Sequence, residues 1–89
     1  MEKVKTREEV LGLFEASRSG PVFLLKHSTR CPVSAWALTE FEMASSELGG
    51  KARFAVLDLI AHRDTSSFIA EHTGIRHESP QVFFIKDGQ

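Results

Sequence analysis

With 89 residues, the chain has room for one domain, spanning 1–89, and none for a second. Hydrophobic residues make up 42% and charged residues 26%, the balance of an ordinary soluble globular protein, which argues against disorder and against a coiled coil. The net charge of -1 and the scattered basic residues argue against nucleic-acid binding, and no apolar run approaches the roughly 20 residues that span a membrane.

A capping box begins the first predicted helix, with Thr6 as the N-cap and Glu9 reaching back to it. An apolar face follows, and Ser19-Gly20-Pro21 ends the helix. The next run, Val22–Leu25, is continuously apolar. Such a run is typical of a strand that is buried on both faces in a parallel sheet.

Cys31-Pro32 opens the second predicted helix, since proline is favoured at the first helical position. Gly49-Gly50 ends it. Val33, Trp36, Ala37, Phe41, Ala44 and Leu48 lie on one side of this helix. Trp36 could line an active site, but its helical spacing with Phe41 favours a place in the core. Phe54–Leu59 is a second apolar strand, so strand, helix and strand should cross over right-handed into a parallel pair.

A short third helix and a third strand complete the predicted elements. Asp64 is the expected cap of the helix, and Gly74 its C-terminal stop. Ser79-Pro80 then directly precedes the strand at Val82–Ile85. Within the second strand, we expect Asp58 to close the strand or cap the loop that follows it.

Asp87-Gly88 is a strong signal for a two-residue hairpin turn, and no return strand follows it. We therefore expect a domain that is truncated after this turn, with a final strand and helix missing. The alternative is a minimal chain, which would expose Phe83 or Phe84 or bury it against a partner.

Cys31 is the only cysteine, so the chain cannot form an internal disulfide and is not a disulfide-stapled secreted domain. Residues 1–5 lead into a charged helix pattern and show no apolar signal region. We expect a cytoplasmic protein.

The position of Cys31 favours a reactive thiol. At a helix start, the free N–H groups of Val33 and Ser34 point at the sulfur, and the helix dipole adds about half a positive charge. Arg30 adjoins the sulfur, and the Ser34 hydroxyl can donate a hydrogen bond. Such settings lower a cysteine pKa from about 8.5 to roughly 3.5–7.5. The alternative is a small, buried and inert side chain, as lone cysteines often are.

Two further features favour the reactive alternative. The segment before the cysteine, His27–Arg30, is polar, and it follows a predicted central strand, where open α/β sheets place their ligands. The segments Lys26-His27-Ser28-Thr29-Arg30-Cys31-Pro32-Val33-Ser34 and Arg76-His77-Glu78-Ser79-Pro80-Gln81-Val82 together resemble the monothiol bacilliredoxins of the thioredoxin superfamily. The resemblance runs from about Thr6 to Gly88.

This resemblance implies an α/β, thioredoxin-like three-layer fold with a central mixed sheet. It implies that Cys31 is the nucleophile, that Ser34 stands where dithiol relatives have a resolving cysteine, and that Pro80 is the cis-proline of the superfamily. Ser79 would pair through its backbone with a bound disulfide. The residues expected to bind the thiol or disulfide are Thr29, Arg30, Pro32, Val33, Ser34, Ser79 and Pro80.

The absence of a second cysteine then dictates exchange with an outside disulfide. Cys31 would remove a low-molecular-weight thiol from a protein mixed disulfide, and a second thiol molecule would reduce Cys31. By resemblance the small thiol is bacillithiol, acting as a co-substrate, with no tightly bound cofactor. The expected partners are S-thiolated proteins and this thiol, with no nucleic acid and no membrane.

Two other functions stay open. A monothiol protein could carry an iron–sulfur cluster across a dimer, and a thioredoxin fold could serve as a redox-inactive interaction module. The four histidines, His27, His62, His72 and His77, show no metal-ligand spacing, so we expect no metal site, although His27 could tune the thiol.

Overall fold

The computed structural model describes all 89 residues. Its elements are β1 (Glu2–Lys3), α1 (Arg7–Ala16), β2 (Val22–His27), α2 (Pro32–Glu47), β3 (Arg53–Asp58), α3 (Arg63–Thr73) and β4 (Gln81–Ile85). The strands form one sheet in the order β1-β3-β2-β4. Both β1 and β2 run parallel to β3, and β4 runs antiparallel to β2, so the sheet is mixed, as expected.

Helices cover both faces of the sheet, because successive side chains of a strand point to opposite faces. Leu24 packs with Leu13 of α1 and Ile69 of α3 in the larger core. Its neighbour Leu25 packs with Phe41 of α2 in the smaller one. The sheet is therefore the middle of three layers. None of the three helices is long and apolar enough to cross a membrane.

The start of α1 is the capping box that the sequence predicts. Thr6 Oγ1 accepts a hydrogen bond from the Glu9 N–H at 3.1 Å, and Glu9 Oε1 accepts one from the Thr6 N–H at 3.1 Å. Hydrogen bonds from the Lys5 and Thr6 backbones lower the pKa of the Glu9 carboxyl. Local contacts therefore cap this helix, as its sequence predicts.

The start of α3 differs from the prediction. His62 rather than Asp64 is its N-cap, and Asp64 lies in the first turn, where its charge still favours the helix dipole. The cause is the preceding turn, in which Asp58 Oδ1 accepts hydrogen bonds from the N–H groups of Ile60 and Ala61. Asp58 thus caps the loop, as expected, and the chain enters the helix two residues early.

The turn after β4 forms as predicted. Asp87 and Gly88 both have positive φ angles, of 55° and 83°, as a two-residue hairpin turn requires. The turn is docked onto the end of α1, because the N–H groups of Asp87 and Gly88 donate to the carbonyl and hydroxyl of Ser17 at 3.0 and 2.8 Å. On β4, Phe83 is buried and Phe84 is 57% exposed.

Candidate active site

Cys31 lies at the edge of the sheet where β2 ends and β4 begins. The thiol is partly exposed, and its residue is the N-cap of α2, followed by Pro32 at the first helical position. The Cys31 N–H donates to the Ser28 carbonyl at 3.3 Å, and the Cys31 carbonyl accepts from the Ala35 N–H at 3.2 Å. The first turn of α2 therefore begins at the cysteine itself.

The N-cap position controls the charge of the sulfur. Backbone hydrogen bonds from Ser34 and then from Val33 lower the pKa of the Cys31 thiol below its ordinary value. Partial burial opposes them, and the Ser34 hydroxyl adds to the lowering. Because the thiolate is the attacking species in exchange, this arrangement can supply a nucleophile near neutral pH.

Ser34 lowers the pKa of the Cys31 thiol through its backbone N–H and also through its hydroxyl. Its side chain is fully buried, and Oγ has no other hydrogen-bond partner, so its hydroxyl proton is free to turn to a thiolate. We expect Ser34→Ala to raise the pKa of Cys31 part of the way to that of a free thiol, because the backbone donors remain. Thiolate absorbance against pH measures this, and an unchanged titration would show that the hydroxyl does not contact the anion. Thr39→Ala, on the outer face of α2, is the matched control.

The loop before β4 contributes the second part of the site. The Ser79–Pro80 peptide bond is cis, the geometry that the resemblance implies. Ser79 is exposed and Pro80 half-buried. Since β4 pairs with β2 through Gln81 and Lys26, this loop and the Cys31 loop lie at the same edge of the sheet.

The other predicted binding residues surround the thiol at the surface. Thr29, Arg30, Pro32 and Val33 are all exposed. The Arg30 backbone N–H bonds to Ser28 Oγ at 3.3 Å, while no hydrogen bond joins its guanidinium to the sulfur. The lowering of the thiol pKa therefore comes from α2 itself rather than from Arg30.

The prediction that Trp36 lies in the core is wrong, since its side chain is 67% exposed. Five positions separate it from the buried Phe41, which places the two about 140° apart around the helix. Trp36 instead lines an apolar surface groove of about 390 Å³ between α2 and β4, together with Phe23 and Val82. This groove adjoins the candidate site.

A buried lysine, which the sequence did not predict, lies on the strand that leads to the site. Lys26 is fully buried, and its Nζ donates to the Ser66 carbonyl at 3.0 Å and contacts His77 Nδ1 at 3.2 Å. Burial lowers the pKa of Lys26, and burial with the charges of Lys26 and Arg63 lowers that of His77. The signal was strand parity, because Lys26 shares a face with the buried Leu24.

The four histidines lie in three different environments. His72 packs edge-on against Phe14, with ring centroids 4.8 Å apart, and His77 binds Lys26. His27 and His62 line a cavity beside the site. No hydrogen bond joins His27 to the thiol, and the structure holds no group of three or more potential metal ligands.

Comparisons with known proteins agree with this geometry. The model of the family described as monothiol bacilliredoxin BrxC matches residues 2–89. Among solved structures, a thioredoxin-fold protein described as a candidate oxidoreductase is 33% identical, with a TM-score of 0.88 over 99% of this chain and 75% of that one.

Two thioredoxins are more distant. The thioredoxin of Malassezia sympodialis is 24% identical, with a TM-score of 0.79 over 100% of this chain and 72% of that one. The thioredoxin of Fasciola hepatica is 18% identical, with a TM-score of 0.80 over 100% and 80%. At these identities the two proteins show the fold alone, which is the α/β thioredoxin-like fold expected from the sequence.

Proposed function

Because the chain belongs to the monothiol bacilliredoxin family of thioredoxin-fold thiol oxidoreductases, we propose that it removes a small thiol from protein mixed disulfides. The observation that supports this most is the setting of its single cysteine. Cys31 receives the hydrogen bonds of the first turn of α2, and a serine occupies the position one turn on. The chain therefore offers a nucleophile without an internal thiol to resolve it.

The proposed reaction has two exchange steps. In the first, the Cys31 thiolate attacks the small-thiol sulfur of a mixed disulfide, forming a Cys31–small-thiol disulfide and releasing the substrate protein as a thiolate, which takes up a proton. In the second, another small thiolate attacks the small-thiol sulfur of this adduct. The Cys31 thiolate is regenerated, and the two small-thiol molecules leave as their disulfide. The protein cysteine is thereby reduced, and one free small thiol is oxidised, because the other already stood at the disulfide level in the mixed disulfide.

The partners follow from this chemistry. We propose S-thiolated proteins and a free small thiol as the two substrates, bacillithiol as that thiol and the cytoplasm as the compartment. No tightly bound cofactor is needed, since the free small thiol that enters the second step is the reductant.

Mass spectrometry tests the proposal directly. The reduced protein is mixed with a peptide carrying bacillithiol in a mixed disulfide, and a glutathione-carrying peptide is the matched comparison. We expect free peptide and a protein whose mass has grown by one bacillithiol, mapped to Cys31. A protein–peptide disulfide as the main product, or no adduct, would contradict the proposal. Visible absorption of protein purified without oxygen would instead favour the cluster carrier.

A further inference from the structure

The largest cavity of the molecule lies beside the candidate site, between α2 and the β1–β3 side of the sheet. Its volume is about 670 Å³, within the range of small-molecule sites. Thr29, two residues before Cys31 in the same loop, lines it. The cavity is therefore continuous with the loop that carries the thiol.

Charges of both signs line this cavity on different walls. Lys3 and Lys5 come from β1 and the residues after it, Glu42 comes from α2, and Asp58 ends β3. None of these four forms a salt bridge, because the two salt bridges of the structure join Arg18 to Glu15 and Arg53 to Glu2. The cavity thus offers two cations and two anions that have no salt-bridge partner in the protein.

His27 also lines the cavity, and its Nδ1 is enclosed with no hydrogen-bond partner. The wall of the cavity therefore includes a polar side chain that is not fully paired within the protein.

We infer that this cavity binds the non-sulfur part of a zwitterionic, cysteine-derived small thiol, which deepens the proposed function and rests on it. Carboxylates would face Lys3 and Lys5, and an amino group would face Glu42. The lining is too balanced in charge for a polyanion. Placement beside Thr29 lets such a ligand present its sulfur to Cys31.

Binding can be measured apart from exchange, because the Cys31→Ser protein contains no thiol. This variant is titrated with reduced bacillithiol while amide NMR shifts are recorded, and propane-1-thiol, which has neither charge, is the control probe. We expect the largest shifts at Lys3, Lys5, His27 and Thr29, and none of comparable size with propane-1-thiol. Shifts confined to Ser79 and Gln81 would overturn the inference, as would the absence of saturable shifts.

Variants then test whether the charges of Lys3 and Lys5 contribute to bacillithiol binding. Replacing both Lys3 and Lys5 by glutamine should weaken bacillithiol binding by about fivefold or more, the effect of roughly 1 kcal/mol. Lys86→Gln, an exposed lysine after β4, is the matched control and should leave the affinity unchanged. Equal affinities in both variants would overturn the inference.

Failure of the proposed function is detected separately. If the wild-type protein forms the Cys31 adduct but the cavity shifts are missing, only the inference fails. If no adduct forms, the proposed function fails, and the inference fails with it, since the cavity would then serve no thiol substrate.

Discussion

Replacing Cys31 by serine should abolish removal of the small thiol, with a rate at least on the order of a thousandfold below that of the wild type. A serine hydroxyl is not ionised at neutral pH, so the amides of Val33 and Ser34 would face a group that cannot become the nucleophile. Cys31 is the only thiol of the chain, and the other sulfur atoms belong to methionine thioethers, which do not exchange with disulfides. No second residue can therefore take over the exchange.

The measurement is release of free peptide from a bacillithiol mixed disulfide, followed over time by chromatography. Ser34→Ala is the matched control, since it removes a hydroxyl from the same helical turn and keeps the sulfur. It should slow release far less than Cys31→Ser. Undiminished release by the Cys31→Ser protein would identify the chain as something other than a thiol oxidoreductase in this assay.

The parts of the fold that the sequence predicts are those fixed by neighbours along the chain. The Thr6–Glu9 capping box and the Cys31-Pro32 helix start use contacts between residues at most four apart. The Asp87-Gly88 turn also closes locally, through hydrogen bonds between Lys86 and Gln89, and only its docking onto Ser17 is long-range. Backbone geometry and a few side-chain hydrogen bonds decide these features, and they form where the sequence places them. The apolar runs Val22–Leu25 and Phe54–Leu59 predict the two central strands, which the structure has at Val22–His27 and Arg53–Asp58.

The features that the sequence did not predict depend on distant residues. The two-residue strand β1 exists because Glu2 and Lys3 pair with Ala55 and Val56, more than fifty positions away. Two residues are too few to show a periodicity. The exposure of Trp36 likewise follows from how α2 lies on the sheet, which its own sequence of scattered apolar residues does not determine.

The candidate site likewise has one part that local sequence predicts and another that depends on residues distant along the chain. Its first part, the N-cap cysteine with its amide donors, is local and was expected from the sequence. The cavity beside Thr29 and the contact between Lys26 and His77 join residues from separate elements. These contacts exist only after the sheet has assembled, so no local pattern marks them.

Lys26→Met should stabilise the protein at neutral pH, by about 1–2 kcal/mol. The lysine is fully buried, no carboxylate lies within salt-bridge distance, and burial lowers the pKa of its ammonium group. Methionine has a similar length and no charge. The substitution does not leave the two hydrogen-bond partners of Lys26 unpaired, because Ser66 lies inside α3 and His77 is exposed to water. A hydrophobic residue in place of a buried ion favours the folded state when no hydrogen-bond partner of that ion is left unpaired.

The pH dependence of stability gives a second readout for the same residue. A lowered pKa means that the folded state binds fewer protons on Lys26 than the unfolded state between the folded and the ordinary pKa of lysine. Stability of the wild type therefore rises with pH in that window, and the advantage of Lys26→Met shrinks as the pH approaches the ordinary value. Urea unfolding at neutral and alkaline pH measures both effects, with the exposed Lys86→Met as the control, expected within about 0.5 kcal/mol of the wild type. A loss of stability in Lys26→Met at neutral pH would mean instead that the bonds to Ser66 and His77 outweigh the cost of burying the charge.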